Sequence, residues 1–210
     1  MLPTRSLGSL AMKKAIEALR DSMSRVRHLG GIHDALLSLT TRVVDASDLL
    51  RAQIVLSVSA LDYYVHEITV LGMVAVFEGT RSPTPAFLKY RISMDSMLVG
   101  GASGSNSWFE SDVRERHSYL SFQQPDKIAD AIRLFSEVKL WQEVSTQLSK
   151  PEQDVKTRLK LIVDRRNKIA HEADIDPSYP EARWPITQGD VDLSLTFLSQ
   201  VCESIHAVVA

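Results

Sequence analysis

Apolar residues recur along this chain at three- and four-residue intervals, and extended runs of alternating β-branched residues are absent, so the pattern predicts an all-α fold. A first helix is expected from about Ser9 to Arg27, ended by Gly30-Gly31, and a second from about His33 into Val44. A third begins after Ser47-Asp48, which can cap it, and runs to about Phe77 before Gly79. Its stretch Ile54 to Phe77 is long enough to span a bilayer, yet Asp62, His66 and Glu67 near the middle are each costly in lipid. The segment is therefore expected to be a buried central helix, the hydrophobic spine, with no membrane involved.

After the proline-punctuated stretch Thr80 to Pro85, Ala86 to Met97 reads as a shorter helix, and Gly100 to Ser107 reads as a flexible Gly/Ser-rich loop. That loop lacks a Gly-Lys-Ser/Thr ending and follows no strand, so it is a connector rather than a phosphate-cradling loop. Two short helices follow, Asp126 to Phe135 and Val138 to Leu148, the first announced by Gln124-Pro125-Asp126. Ser149-Lys150-Pro151-Glu152 has the spacing of a capping box and opens a helix running to about Ala173. Asp176-Pro177 and Tyr179-Pro180 stop it. A last amphipathic helix starts at about Thr187 or Asp190 and turns Val191, Leu195, Leu198, Val201, Cys202 and Ile205 inward.

Composition sharpens this picture in a few places. With 210 residues, 44% apolar and 24% charged, the chain suits one domain over 1–210 that buries its own core. The single cysteine, Cys202, cannot form an internal disulfide, and Met1 to Leu19 shows no run of signal-peptide character, so a cytoplasmic location is expected. A net charge of −2 offers nucleic acid no bulk attraction. Any affinity for RNA must come from a local patch.

Such a patch lies between Lys156 and Lys168, where Lys156, Arg158, Lys160, Arg165, Arg166 and Lys168 face one acid, Asp164. The run continues into Asn167 and His171. An imidazole exchanges protons near neutral pH, and a guanidinium offers forked donors to phosphate oxygens. RNA cleavage needs both, because the 2′-hydroxyl must lose a proton while charge builds on the phosphorus-bound oxygens. On an ideal helix Asn167 and His171 share a face, whereas Arg166 and His171 stand about 140° apart. A cleft in which two copies of this helix meet completes the site more naturally than one helix does, which predicts a homodimer. The plain alternative is a solvated basic face with favourable charges at a helix C-terminus.

Metal and nucleophile patterns are not apparent. His66-Glu67 is followed by Val70 where a zinc-protease helix needs a second His, and His28, His33, His117 and His206 form no ligand pattern. No metal and no cofactor are expected, and neither the serines nor Cys202 has a nucleophile context.

At Arg166, Asn167 and His171 the sequence resembles the HEPN superfamily, marked by an Arg, a polar follower and a His on a late helix. The surrounding Val163-Asp164-Arg165-Arg166-Asn167-Lys168-Ile169-Ala170-His171-Glu172-Ala173-Asp174-Ile175-Asp176-Pro177 is similar to the RiboL-PSP-HEPN family. So are Leu50-Arg51-Ala52 through Ser59 to Glu67 and Arg183-Trp184-Pro185-Ile186-Thr187 with Asp190-Val191. The resemblance covers about residues 45–208, with N-terminal helices over 1–44 beside it. It implies a HEPN-like helical bundle with a long central helix, and dimerisation that joins two Arg/His sets. It also implies metal-independent endoribonuclease activity in a bacterial toxin or defence effector, with an antitoxin or sensor protein as partner. Some members of such families are inactive binding modules for RNA, a nucleotide or a protein, which is the alternative reading. Ala173 stands where some HEPN toxins carry a tyrosine two residues after the motif His, so control by modification of that tyrosine is not expected.

Within this frame His171 is assigned as general base or acid, Arg166 as the transition-state cation, and Asn167 as an orienting group or an exposed helix residue. Arg165 and Lys168 are expected on backbone phosphates, or as solvated charges. Glu172 and Asp174 are expected to favour the protonated form of His171. Asp62, His66 and Glu67 are read as supporting residues, one carboxylate pairing with Arg165 or Arg166; the alternative is a structural hydrogen bond or ion pair unrelated to catalysis.

Overall fold

The computed structural model describes residues 5–40, 44–103 and 106–210; residues 1–4, 41–43 and 104–105, which include parts of the expected second helix and of the Gly/Ser-rich loop, lie outside the described residues. Eight α-helices and one two-stranded ribbon are described. The all-α expectation holds, with one small ribbon added.

The N-terminal segment is one helix, α1 (Arg5–Leu39), where the sequence pattern predicted two. Its buried stripe Met12, Ile16, Leu19, Met23 and Val26 keeps the three-four spacing and continues through Gly30 to His33. Gly30 is there for close approach rather than for a break: a Cβ on it would stand 2.8 Å from Gln188 Nε2 and 3.2 Å from Gln53 Oε1. Helical hydrogen bonds continue past the glycine pair because neither residue takes a positive φ.

The spine is α2 (Ser47–Phe77), ended just before Gly79 at φ 74°. By length and composition alone it is long and apolar enough to cross a membrane. In the fold it is the central element, packed against α1 and four later helices, with Val58, Leu61, Val65, Ile68 and Met73 fully buried. Neither Ser47 nor Asp48 caps it. The N-cap is Ala46, while Asp45 accepts from the Ser47 amide at 2.9 Å and Asp48 pairs with Arg183.

The helix expected over 86–97 is instead a single 3-10 turn (Phe87–Lys89) followed by α3 (Met94–Ser103), which runs into the predicted glycine loop. Gly100 lets α3 lie against α4 (Ser107–His117), since a Cβ there would fall 2.4 Å from Trp108 ring atoms. α4 leaves little trace in the sequence because its inward residues, Phe109, Asp112, Val113 and His117, are half polar. α5 (Pro125–Arg133) and α6 (Leu140–Leu148) match expectation. Ser149 does not cap the next helix; at φ 51° it closes α6 in the left-handed conformation, and Pro151 is the N-cap of α7 (Glu152–His171). After α7 comes a short antiparallel ribbon, β1 (Ile175–Asp176) and β2 (Tyr179–Arg183), which the pattern had treated only as a stop. α8 (Gln188–Val209) is capped by Thr187, whose Oγ1 accepts from the Asp190 amide. All six residues predicted to face inward on α8 are fully buried.

Candidate functional site

Helix α7 presents the basic motif because its apolar positions Val155, Leu159, Ile162 and Val163 fix it on α2, α5 and α6, and Ile169 then packs against Val26, Leu50, Ile54, Val191 and Leu195. The rotation of the helix is thereby set, and with it the direction of every cation in the run.

Most of those cations are already engaged. Lys156 pairs with Glu152 at 2.5 Å. Arg158 lies 4.6 Å from the Phe197 ring centroid and donates to the Leu193 carbonyl. Arg165, expected on phosphate, is turned inward instead: its Nη2 donates to Asp174 Oδ2 at 2.8 Å and to the carbonyls of Trp184 and Pro185 at 3.2 Å each. Lys168 lies 5.2 Å from the Trp184 ring centroid in a cation–π contact.

Lys160 is exposed and makes no ion pair among the described residues, and Arg166 is placed differently again. Half-buried, it donates from Nη1 to Asn167 Oδ1 at 3.0 Å, its Nε is buried without a partner, and no carboxylate pairs with it among the described residues. A guanidinium so placed keeps unspent donors for an anion. His171, the last residue of α7, is exposed, and its ring makes no hydrogen bond or ion pair among the described residues. It lies about 7.5 Å along the axis and 140° around it from Arg166. Asn167 therefore sits between them, bonded to Arg166 and on the His171 face.

The end of α7 is fastened by a device that sequence reasoning did not identify. The amides of Glu172 and Asp174 both donate to the Lys168 carbonyl, at 2.9 and 3.0 Å, while Ala173 and Asp174 turn left-handed at φ 52° and 60°. This drives the Asp174 carboxylate inward, fully buried, where Oδ2 accepts from Arg51 Nε and Arg165 Nη2, each at 2.8 Å. Both arginines also donate to the Trp184 carbonyl, and the Trp184 amide donates to the Asp174 carbonyl at 2.9 Å. One carboxylate thus ties α2, α7 and the entry to α8 together three residues after His171. Burial pulls the Arg165 pKa below the usual guanidinium value, with Asp174 opposing that shift. The signal for this clamp was an arginine, Arg51, inside an apolar helix; an acid among many gave no sign of being its partner. Asp174 is accordingly spent on arginines rather than on His171.

The supporting role expected of α2 is corrected in the same way. Asp62 accepts from the Phe122 amide at 2.6 Å and from Gln123 Nε2 at 2.7 Å, His66 Nε2 lies 3.7 Å from Asp62, and Glu67 pairs with Arg114. These groups hold α4 and the chain leading to α5. None pairs with Arg165 or Arg166 among the described residues.

Among the described residues no three His, Cys, Asp or Glu side chains gather as metal ligands. A hollow of about 570 Å³ is lined by Thr84 to Ala86, α5, α6 and the start of α7, including Lys156. Lys156, in its lining, is 15 residues, about 22 Å, up the helix from His171.

Comparison with curated proteins and with solved structures finds no match. The family model described as RiboL-PSP-HEPN matches residues 20–210, a span that takes in the spine helix, the Arg166-Asn167 and His171 motif and the Asp174 clamp behind it. Nearly the whole chain, fold and motif together, therefore belongs to the RiboL-PSP-HEPN family.

Proposed function

We propose that the protein is a metal-independent endoribonuclease that works as a homodimer, with two copies of the Arg166/Asn167/His171 set facing one RNA strand. The observation that carries this reading is the contrast along α7: Arg165 is committed to Asp174, while its neighbour Arg166 has no acid partner among the described residues and lies five residues, about 7.5 Å along the axis, from an exposed imidazole that makes no bond among them.

The chemistry follows from what these groups can do. Neutral His171 removes the proton of a ribose 2′-hydroxyl, and the 2′-oxygen attacks the adjacent phosphorus. The 5′-oxygen departs with a proton from a second, protonated imidazole, leaving a 2′,3′-cyclic phosphate and a 5′-hydroxyl. One imidazole cannot accept and donate in the same step, and the second copy supplies the other. Arg166 stabilises the negative charge that gathers on the phosphorane oxygens, and Asn167 holds its guanidinium through the 3.0 Å bond. Lys168 adds a positive charge near the backbone. A role as a toxin or defence effector restrained by an antitoxin or sensor protein fits the family and completes the proposal.

The test is cleavage of transfer and messenger RNA in EDTA by the parent protein beside His171→Ala. Cleavage by the parent alone, ending in 2′,3′-cyclic phosphate, is expected; Arg166→Ala should lower the rate by about 10²- to 10³-fold. RNA binding without turnover would replace this reading with that of a non-catalytic binding module.

A further inference from the structure

On the α4 and α5 side of the molecule, with neither Arg166 nor His171 in its lining, a hollow of about 380 Å³ opens between Tyr90, Arg91, Arg116, His117, Phe122 and Leu134. Its volume lies in the range of small-molecule sites. Two polar atoms buried in its lining residues have no partner: Tyr90 Oη and His117 Nδ1, the His117 residue being 3% exposed. Native folds rarely leave such groups unsatisfied, since each costs about 1–3 kcal/mol. The rings are set edge to face around the space, His117 at 90° to Tyr90 and at 89° to Phe122 with centroids 5.9 and 5.5 Å apart, which leaves ring faces and edges for a flat guest.

The charges at the mouth choose the guest's sign. Arg91 is exposed and pairs with no acid among the described residues. Arg116 spends its Nε on Asp112 at 2.8 Å, and its terminal amino groups make no bond among the described residues. The one acid in the lining, Asp130, is paired with Arg133. The residual charge is therefore positive, which disfavours a cationic guest despite the aromatic walls. The His66 ring, 3.7 Å from Asp62, packs against two of the lining rings, Phe122 at 4.4 Å and His117 at 6.5 Å, so the polar interruption of α2 helps to hold them in place.

We propose that this hollow binds a small aromatic carboxylate, its ring among Tyr90, His117 and Phe122 and its acid group on Arg91 and Arg116. This does not depend on the ribonuclease reading. The probe is naphthalene-2-carboxylate, titrated into the full chain by calorimetry with the His117 ring followed by NMR. Binding with a dissociation constant below about 1 mM is expected. It should weaken about tenfold in Arg91→Ala, which alters only an exposed side chain, and be lost in Leu134→Trp, which fills the space from a half-buried position. The uncharged 2-naphthalenemethanol should bind at least about tenfold more weakly. Absence of binding up to about 5 mM, undiminished binding by Leu134→Trp, equal binding of acid and alcohol, or a silent His117 ring would each overturn the proposal and leave the hollow to water.

Discussion

Replacing Asp174 should be among the most damaging single changes in the chain, and its cost divides into parts that can be measured separately. The carboxylate is fully buried between Arg51, whose side chain is 7% exposed, and Arg165, at 26%. Asp174→Ala leaves two cations facing each other with no counter-charge, and breaking a buried pair from one side costs about 3–5 kcal/mol. Alanine also resists the left-handed backbone at φ 60°, adding about 1 kcal/mol. Asp174→Asn keeps the volume and tolerates that backbone, so it reports the lost charge nearly alone, at about 3 kcal/mol. For a chain of this length the alanine variant should melt at least 8 °C or so lower. Urea denaturation of parent, Asn and Ala variants measures the two parts, with Arg20→Ala as the control: its exposed pair with Glu203 should contribute under about 1 kcal/mol. Because Asp174 fixes the chain three residues after His171, folded Asp174→Asn at low temperature should also cleave RNA more slowly than parent. A loss below about 1 kcal/mol in both Asp174 variants would refute the view that this clamp fastens the end of α7.

Two further expectations follow from packing and titration. Burial, with His66 nearby as a second cause, holds the His117 pKa down at about 4, and burial also lowers that of His206. The unfolded chain then binds more protons than the folded one between about pH 6.5 and pH 4, so stability is full above that window and falls as pH drops through it, by up to about 3 kcal/mol for His117. His117→Phe should flatten that part of a stability-against-pH curve; an unchanged slope would contradict the assignment. Gly31→Ala and Gly72→Ala should shift stability in opposite directions. A Cβ at Gly31 meets nothing within 4 Å and gains up to about 1 kcal/mol of helix propensity, whereas at Gly72 it would overlap the Phe135 ring at 2.2 Å and cost about 1–3 kcal/mol, as denaturant midpoints would show.

The sequence by itself determined the elements whose signal is local. The inward stripe of α8, the extent of α2 and the placing of Arg166, Asn167 and His171 on one late helix all come from spacing that a helix imposes wherever it packs. Signals tied to a single residue type misled. Gly30-Gly31 and Gly100 read as breaks, but Gly30 makes room for Gln188 and Gln53 from other helices and Gly100 for the Trp108 ring of the next helix, while Gly31 is simply carried within α1. Charge partners were the other failure. Arg165 and Arg166 are adjacent and chemically identical, yet one is tied to Asp174 and the other is not, and Asp62 and Glu67 hold Phe122, Gln123 and Arg114 rather than the motif. Only the tertiary structure decided these pairings. A charge finds its partner through the left-handed turn after α7 and the crossing of helices, and those contacts join residues from 9 to 123 positions apart with no shared spacing, so periodicity carries no information about them.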